Sequence, residues 1–325
     1  MSKNSIILNN GAKMPLIGLG TWQVNDPFEL KNAMNVAFES GYRHFDTAFL
    51  YHNEKLVGEV IQDWIKKGLV KREELFITTK LPVAGVHPDR VQMFLNKSLQ
   101  NLGLEYVDLY LVHFPVCVKY NENQDFPVNS AGQIETEPTD HIAVWKKMEE
   151  MVKLGKTRSI GVSNFNKKQI SRILENATIK PANLQIEAHL YFQNTELIEF
   201  CKNHGISVVA YSPLGSPAVN IGFKKRGLPT KDVPKIMEDE NVISIAKKHS
   251  RSPAQVMLRF LVQNGIAAIP KSITPSRIRD NINIFDFQLD DKDLAVLRTL
   301  DKVESGRVCD MKGFNMSEHP EFPFR

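Results

Sequence analysis

The feature that most constrains this chain is an alternation. Short apolar runs, often β-branched, recur between longer segments of helical spacing, and eight are legible: 17–21, 44–48, 75–80, 107–113, 159–163, 183–187, 207–212 and 267–271. Continuous runs such as Val107-Asp-Leu-Tyr-Leu-Val112 suit parallel strands buried on both faces. Between them, 26–40 places Leu30, Ala33, Met34, Ala37 and Phe38 on one helical face, with Gly41 as a stop. Ser252-Pro253 supplies an N-cap and a first-turn proline, and Gly265 ends that helix. Eight strand–helix alternations without a linker predict an α/β fold, a closed (β/α)8 barrel of the TIM type. A doubly wound open sheet competes, but it calls for a Gly-rich first turn, and Gly18-Leu19-Gly20-Thr21-Trp22-Gln23 lacks the third glycine. The 325 residues suggest about two domains on length alone; the alternation reduces this to one barrel domain over 1–325.

Composition closes off other classes. With 42% hydrophobic and 24% charged residues the chain buries a large core, which excludes disorder and collagen-like repeats. A formal charge of +4, with no block of five like charges, lacks the dense basic stripe of a nucleic-acid binder. Cys117, Cys201 and Cys309 form no CxxC pair and leave an odd count, as expected in a reducing compartment. The N-terminal apolar run is too short for a signal peptide, and no stretch approaches the ~20 residues that span a bilayer. A cytoplasmic protein without membrane or nucleic-acid partners is expected.

Two long connections, about 114–139 and 213–238, and a tail after Glu304 break the rhythm. Each connection follows a strand and precedes a helix, so in a barrel it lies over the C-terminal, active-site face. Phe114, Tyr120, Phe126 and Phe223 either line a pocket there or pack loop onto barrel.

Polar residues stand at the strand ends. Asp46 closes the second run with Tyr51 five residues on, Lys80 closes the third and His113 the fourth; Ser163-Asn164, Gln185, Glu187, Tyr211-Ser212 and Lys271-Ser272 follow. A solvated rim explains one or two of these, but poorly explains Asp, Tyr, Lys and His on three successive strands. Tyrosine, with a reference pKa of ~10, is a poor acid alone. A neighbouring lysine would lower that value, and a carboxylate would hold the lysine charged. Histidine could hydrogen-bond a substrate oxygen, so the set reads as a general acid or base facing a carbonyl or alcohol. No nucleophile–base pair and no metal-ligand spacing is evident.

These stretches resemble the aldo-keto reductases. The segment from Gly41-Tyr-Arg-His-Phe-Asp46 through Tyr51-His-Asn-Glu54 to Gly58 resembles the family's first signature. Met151 to Phe165, ending Gly-Val-Ser-Asn-Phe, resembles the second, and Ile269-Pro-Lys-Ser through Arg277 to Asn281 the third. The resemblance implies a barrel binding NADPH (NADP+) and a catalytic tetrad of Asp46, Tyr51, Lys80 and His113. Tyr51 would protonate the developing alkoxide, Lys80 and Asp46 would tune it, and His113 would orient the carbonyl. It further implies cofactor contacts from Thr21 and Trp22, from Ser163, Asn164 and Gln185 on the carboxamide, and from Tyr211 stacked on the nicotinamide. Ser212, Leu214 and Ser216 fall on the pyrophosphate side, Lys271, Ser272 and Arg277 on the 2′-phosphate, and Asp280 and Asn281 near adenine. Two cations and a hydroxyl where a helix begins suit a phosphate.

The resemblance places Trp22, Leu50, Tyr51, His113 and Phe114 in the substrate wall, with the tail, including Val308-Cys309, as a specificity segment. An apolar aromatic wall suits a small-molecule carbonyl with a sizeable apolar body, from lipid or aromatic aldehydes to steroid ketones such as 3-dehydroecdysteroids. Departures bear on this. Gln23 and Ala218 stand where relatives often have a lid ion pair, so faster cofactor release is expected; Phe114 replaces a common Trp, and Leu190 a common Pro. A monomer without a metal is expected. A sensor, channel-accessory or crystallin-like role on the same barrel remains the alternative.

Overall fold

The computed structural model describes residues 4–217, 219–225, 230, 232–311 and 316–325, with positions 222, 223 and 225 as backbone only. Ala218 and the Phe223 side chain, named above, lie outside the described residues. All eight expected strands form: β1 (Leu19–Gly20), β2 (His44–Asp46), β3 (Phe76–Leu81), β4 (Val107–Val112), β5 (Thr157–Ser163), β6 (Asn183–Glu187), β7 (Ser207–Tyr211) and β8 (Ala267–Ala268). They pair in chain order, each parallel to the next. The ring closes where Ile17 bridges Ala268. There Gly18 N donates to Ala268 O (3.0 Å) and Ala268 N to Leu16 O (2.8 Å). This is a (β/α)8 barrel.

The local chemistry accounts for the elements. β3, β4 and β6 are buried along their whole length, β4 as its near-continuous apolar run requires, β3 and β6 with polar residues such as Lys80, Gln185 and Glu187 buried among the apolar ones. The helix Pro27–Glu39 starts at Asp26, whose carboxylate accepts from Glu29 N (2.9 Å), and buries the five apolar residues its spacing selects. Gly41, at φ +92°, turns the chain into β2 as only glycine does without strain. The helix Pro253–Gln263 begins with a reciprocal Ser252–Gln255 capping box.

Two hairpins were not anticipated. Ser5–Ile7 pairs antiparallel with Lys13–Pro15. Its turn residues Asn9 and Asn10 donate to Pro181 O (2.8 Å) and Arg158 O (2.9 Å), at the starts of β6 and β5. The hairpin therefore lies at the N-terminal end of the barrel, away from the strand ends that carry the polar residues. The second, Cys117–Val118 with Thr136–Glu137, organises the long connection after β4. The connection after β7 carries a helix, Val219–Lys225, and a 3-10 turn, Ile236–Glu238. No helix among the described residues is long and apolar enough to cross a membrane.

Candidate active site

Asp46 ends β2, and the chain then makes a 3-10 turn, Phe49–Tyr51, that returns Tyr51 over the strand ends. Lys80, one residue before the end of β3, is wholly buried. Its ammonium lies 2.6 Å from Asp46 Oδ1, 2.9 Å from Thr47 O and 3.3 Å from the Tyr51 hydroxyl. The other Asp46 oxygen accepts from Gln185 Nε2 on β6 (2.8 Å). Burial pulls the Lys80 pKa below that of an ordinary lysine, and the Asp46 charge opposes the shift. A buried charge survives when paired and hydrogen-bonded, and this one is both.

His113 follows β4 directly, its ring edge-on to Tyr51 with centroids 5.7 Å apart. Burial, and secondarily the Lys80 charge, hold its pKa well below 6.5, so the imidazole is neutral at physiological pH. Its Nδ1 is buried without a hydrogen-bond partner. Its carbonyl accepts from Asn164 Nδ2 (3.0 Å). Asn164 sits at φ +63°, a left-handed conformation that Asn tolerates, and its Oδ1 accepts from the Tyr211 hydroxyl (2.7 Å). Asn164 thereby links the ends of β4, β5 and β7. Burial raises the Tyr211 pKa well above 10, so the phenol stays protonated. Beyond β7, Ser212 (φ +50°) and Ser216 (φ +47°) share a hydrogen bond of 2.5 Å.

The other expected residues fall into three groups. Trp22, Leu50, Tyr51, His113, Tyr211, Ser212, Leu214 and Ser216 are half-buried, consistent with a mouth open to a ligand, while Thr21 and Ser163 are buried beneath it. Phe114 is only 4% exposed, packed edge-on against Phe322 and Phe324 of the tail. Tyr120 packs on Phe94. Lys271, Arg277 and Asp280 are exposed, Ser272 half-buried and Asn281 buried. Arg277 lies in the first turn of the helix Pro275–Ile282, whose N-cap, Thr274, makes no side-chain cap. Ser272 Oγ accepts from Thr274 N (3.1 Å). No group of three His, Cys, Asp or Glu among the described residues is placed to hold a metal ion.

Two residues that support this arrangement escaped the sequence reading. Asn53 Nδ2 donates to Thr21 O (2.9 Å) and Val24 O (3.1 Å), and its Oδ1 accepts from Thr47 Oγ1 (2.9 Å), which ties the Trp22 turn to the Tyr51 turn. Buried Glu54 accepts from Thr79 Oγ1 (2.6 Å) and Asn101 Nδ2 (3.1 Å). In the sequence Asn53-Glu54 looks like an ordinary helix start, with an N-cap and a first-turn acid. Their only other signal is their place beside Tyr51.

The Aldo/keto reductase family profile matches residues 16–302. The chain belongs to the aldo-keto reductase family. It is 45% identical over 297 residues to aldo-keto reductase family 1 member A1 of Xenopus tropicalis, covering 91% of this chain and 88% of that protein. The human protein of the same name is 41% identical over 335 residues, covering 100% and 99%. A solved structure, the aldose reductase from Schistosoma japonicum, superposes with a TM-score of 0.89 at 40% identity, covering 99% of this chain and 98% of that one. As an aldo-keto reductase the protein is an oxidoreductase, and its family implies carbonyl reduction.

Proposed function

We propose that this aldo-keto reductase uses NADPH to reduce aldehydes and ketones to alcohols, with Tyr51 as proton donor. One observation carries the reading. The Tyr51 hydroxyl lies 3.3 Å from a buried ammonium that Asp46 and Thr47 hold in place. As charge builds on a carbonyl oxygen, Tyr51 gives up its phenolic proton, and Lys80 stabilises the tyrosinate left behind. Neutral His113 orients the carbonyl by hydrogen bonding without competing as an acid. Gln185 fixes the Asp46 carboxylate and thereby the direction of the Lys80 ammonium.

The residues present fit a dinucleotide phosphate. Arg277 is exposed, pairs with no carboxylate among the described residues, and occupies the first turn of a helix whose N-terminus lacks a side-chain cap. Such an end, with a guanidinium beside it, matches a dianionic phosphate. Lys271, Ser272 and Arg277 would hold that group, and Ser163, Asn164, Gln185 and Tyr211 the nicotinamide end. NADPH when bound supplies the hydride. The half-buried Trp22 and Leu50 beside Tyr51 favour substrates with an apolar body, and the whole chain acts as one monomeric cytoplasmic domain.

The test is NADPH oxidation by the 1–325 chain with a panel running from short aldehydes to aromatic aldehydes and ketosteroids. Turnover of the apolar members is expected. Tight NADPH binding without turnover of any carbonyl would instead place the protein among cofactor-binding scaffolds.

A further inference from the structure

Gln185 and Glu187 stand two residues apart on β6 and so share one face of the strand. Gln185 turns to Asp46. Glu187, 1% exposed, turns to the far end of the chain. Its Oε1 accepts from Val308 N and its Oε2 from Cys309 N, both at 2.7 Å, and His189 Nε2 lies 3.0 Å from Oε1. The contacts on either side fix the same stretch. A Cβ on Gly306 would stand 1.8 Å from Tyr191 O, so only glycine lets the tail run against the backbone that follows β6. The Arg307 guanidinium lies over the Phe192 ring (4.3 Å) and the Phe324 ring (4.0 Å). Cys309 Sγ lies 3.9 Å from Ser212 Oγ, at the end of β7. Further on, Phe322 and Phe324 reach Phe114, the residue after His113, and Glu321 is held by Arg172 (2.7 and 3.1 Å).

We propose that Glu187 is a positioning residue for substrate specificity: its carboxylate sets the register of 306–309 against β6 and so places the C-terminal segment beside the mouth. The chemistry favours a carboxylate over any near relative. Two successive backbone N–H groups need two acceptors on one side chain, and an ionised carboxylate offers both oxygens and no donor. An amide would turn its own NH2 toward one of the N–H groups. Charge-assisted bonds of this kind are also stronger than neutral ones. β6 thereby serves two parts of the reaction, through Gln185 toward the proton-transfer set and through Glu187 toward the substrate wall. The inference rests on the carbonyl-reductase reading of the site.

Glu187→Gln separates the roles. The KM for a bulky apolar aldehyde is expected to rise about tenfold, while kcat and KM for a short aliphatic aldehyde shift by less than about twofold. NADPH affinity, read by fluorescence, is expected to stay at the wild-type value. Amide hydrogen exchange is expected to speed up in a peptide covering 306–311 and not in one covering 183–186. A uniform loss across aldehyde sizes, or unchanged exchange at 306–311, would overturn the proposal. If Glu187→Gln does not fold, Glu187→Asp keeps the charge but shortens the reach to the Val308 and Cys309 N–H groups, and is expected to show the same size-dependent KM split at smaller amplitude; no split would count against the proposal. Failure of wild-type turnover would defeat the functional reading alone, because the exchange experiment needs no substrate.

Discussion

At the Lys80 end of the barrel mouth the ionised groups are buried and bonded to one another, whereas at the far end Arg277 stands exposed in the first turn of a helix. Lys80 has Asp46, Thr47 and Tyr51 around it, and both Asp46 oxygens are engaged. Arg277 has no carboxylate among the described residues, and the helix it opens is uncapped by its own Thr274. The difference matches the roles proposed for the two ends, proton transfer at the first and phosphate binding at the second. Proton transfer needs groups held in one geometry before substrate arrives, so the protein supplies the partners itself. A phosphate brings its own charge, and cations already paired would have to exchange partners to receive it.

Substitutions at the two ends are therefore expected to fail in different ways. Lys80→Met strips Asp46 of its counter-charge inside the barrel. A loss of about 3–5 kcal/mol in unfolding stability is expected by urea titration, together with collapse of turnover. Stability and activity falling by unrelated amounts at Asp46→Asn and Lys80→Met would break the picture of one coupled unit. Arg277 is exposed, so the unfolding midpoint of Arg277→Ala is expected to match wild type. The NADPH KM is expected to rise ~10–100-fold with little change for NADH, the size of a lost charge-assisted phosphate contact. Equal effects on the two cofactors would remove the phosphate role.

A smaller effect sharpens the contrast through pH. His113, His44 and His141 are all held below the usual 6.5, in each case mainly by burial. Below that pH the unfolded chain binds protons that the folded chain refuses, so stability falls as pH drops through this window. The melting temperature is expected to decline from about pH 7.5 to about pH 5. His113→Asn is expected to flatten part of the slope; an unchanged slope would assign the acid sensitivity to the other two.

Much of this was legible in the sequence because strand and helix periodicities are local. The eight runs and the strand-end positions of Asp46, Lys80 and His113 needed no long-range information. What stayed hidden depends on distant backbone. Glu187 was visible as a strand-end acid, but its partners are N–H groups 121 and 122 residues away, and a backbone amide carries no residue signature. Asn53 was hidden for a related reason: its acceptors are the carbonyls of Thr21 and Val24. The N-terminal hairpin has strands of three residues, too short for alternation to register. The resemblance puts Phe114 in the substrate wall; the packing of the tail's Phe322 and Phe324 against its ring is a contact that sequence position alone does not place.

In the proposed mechanism Tyr51, poised by Lys80, delivers the proton. Single-turnover NADPH oxidation by Tyr51→Phe, which keeps the ring and removes only the hydroxyl, tests it most directly. With a substrate the wild type reduces, a fall of ~10²–10⁴-fold in rate is expected at unchanged NADPH affinity. Wild-type rates in that variant would contradict the mechanism.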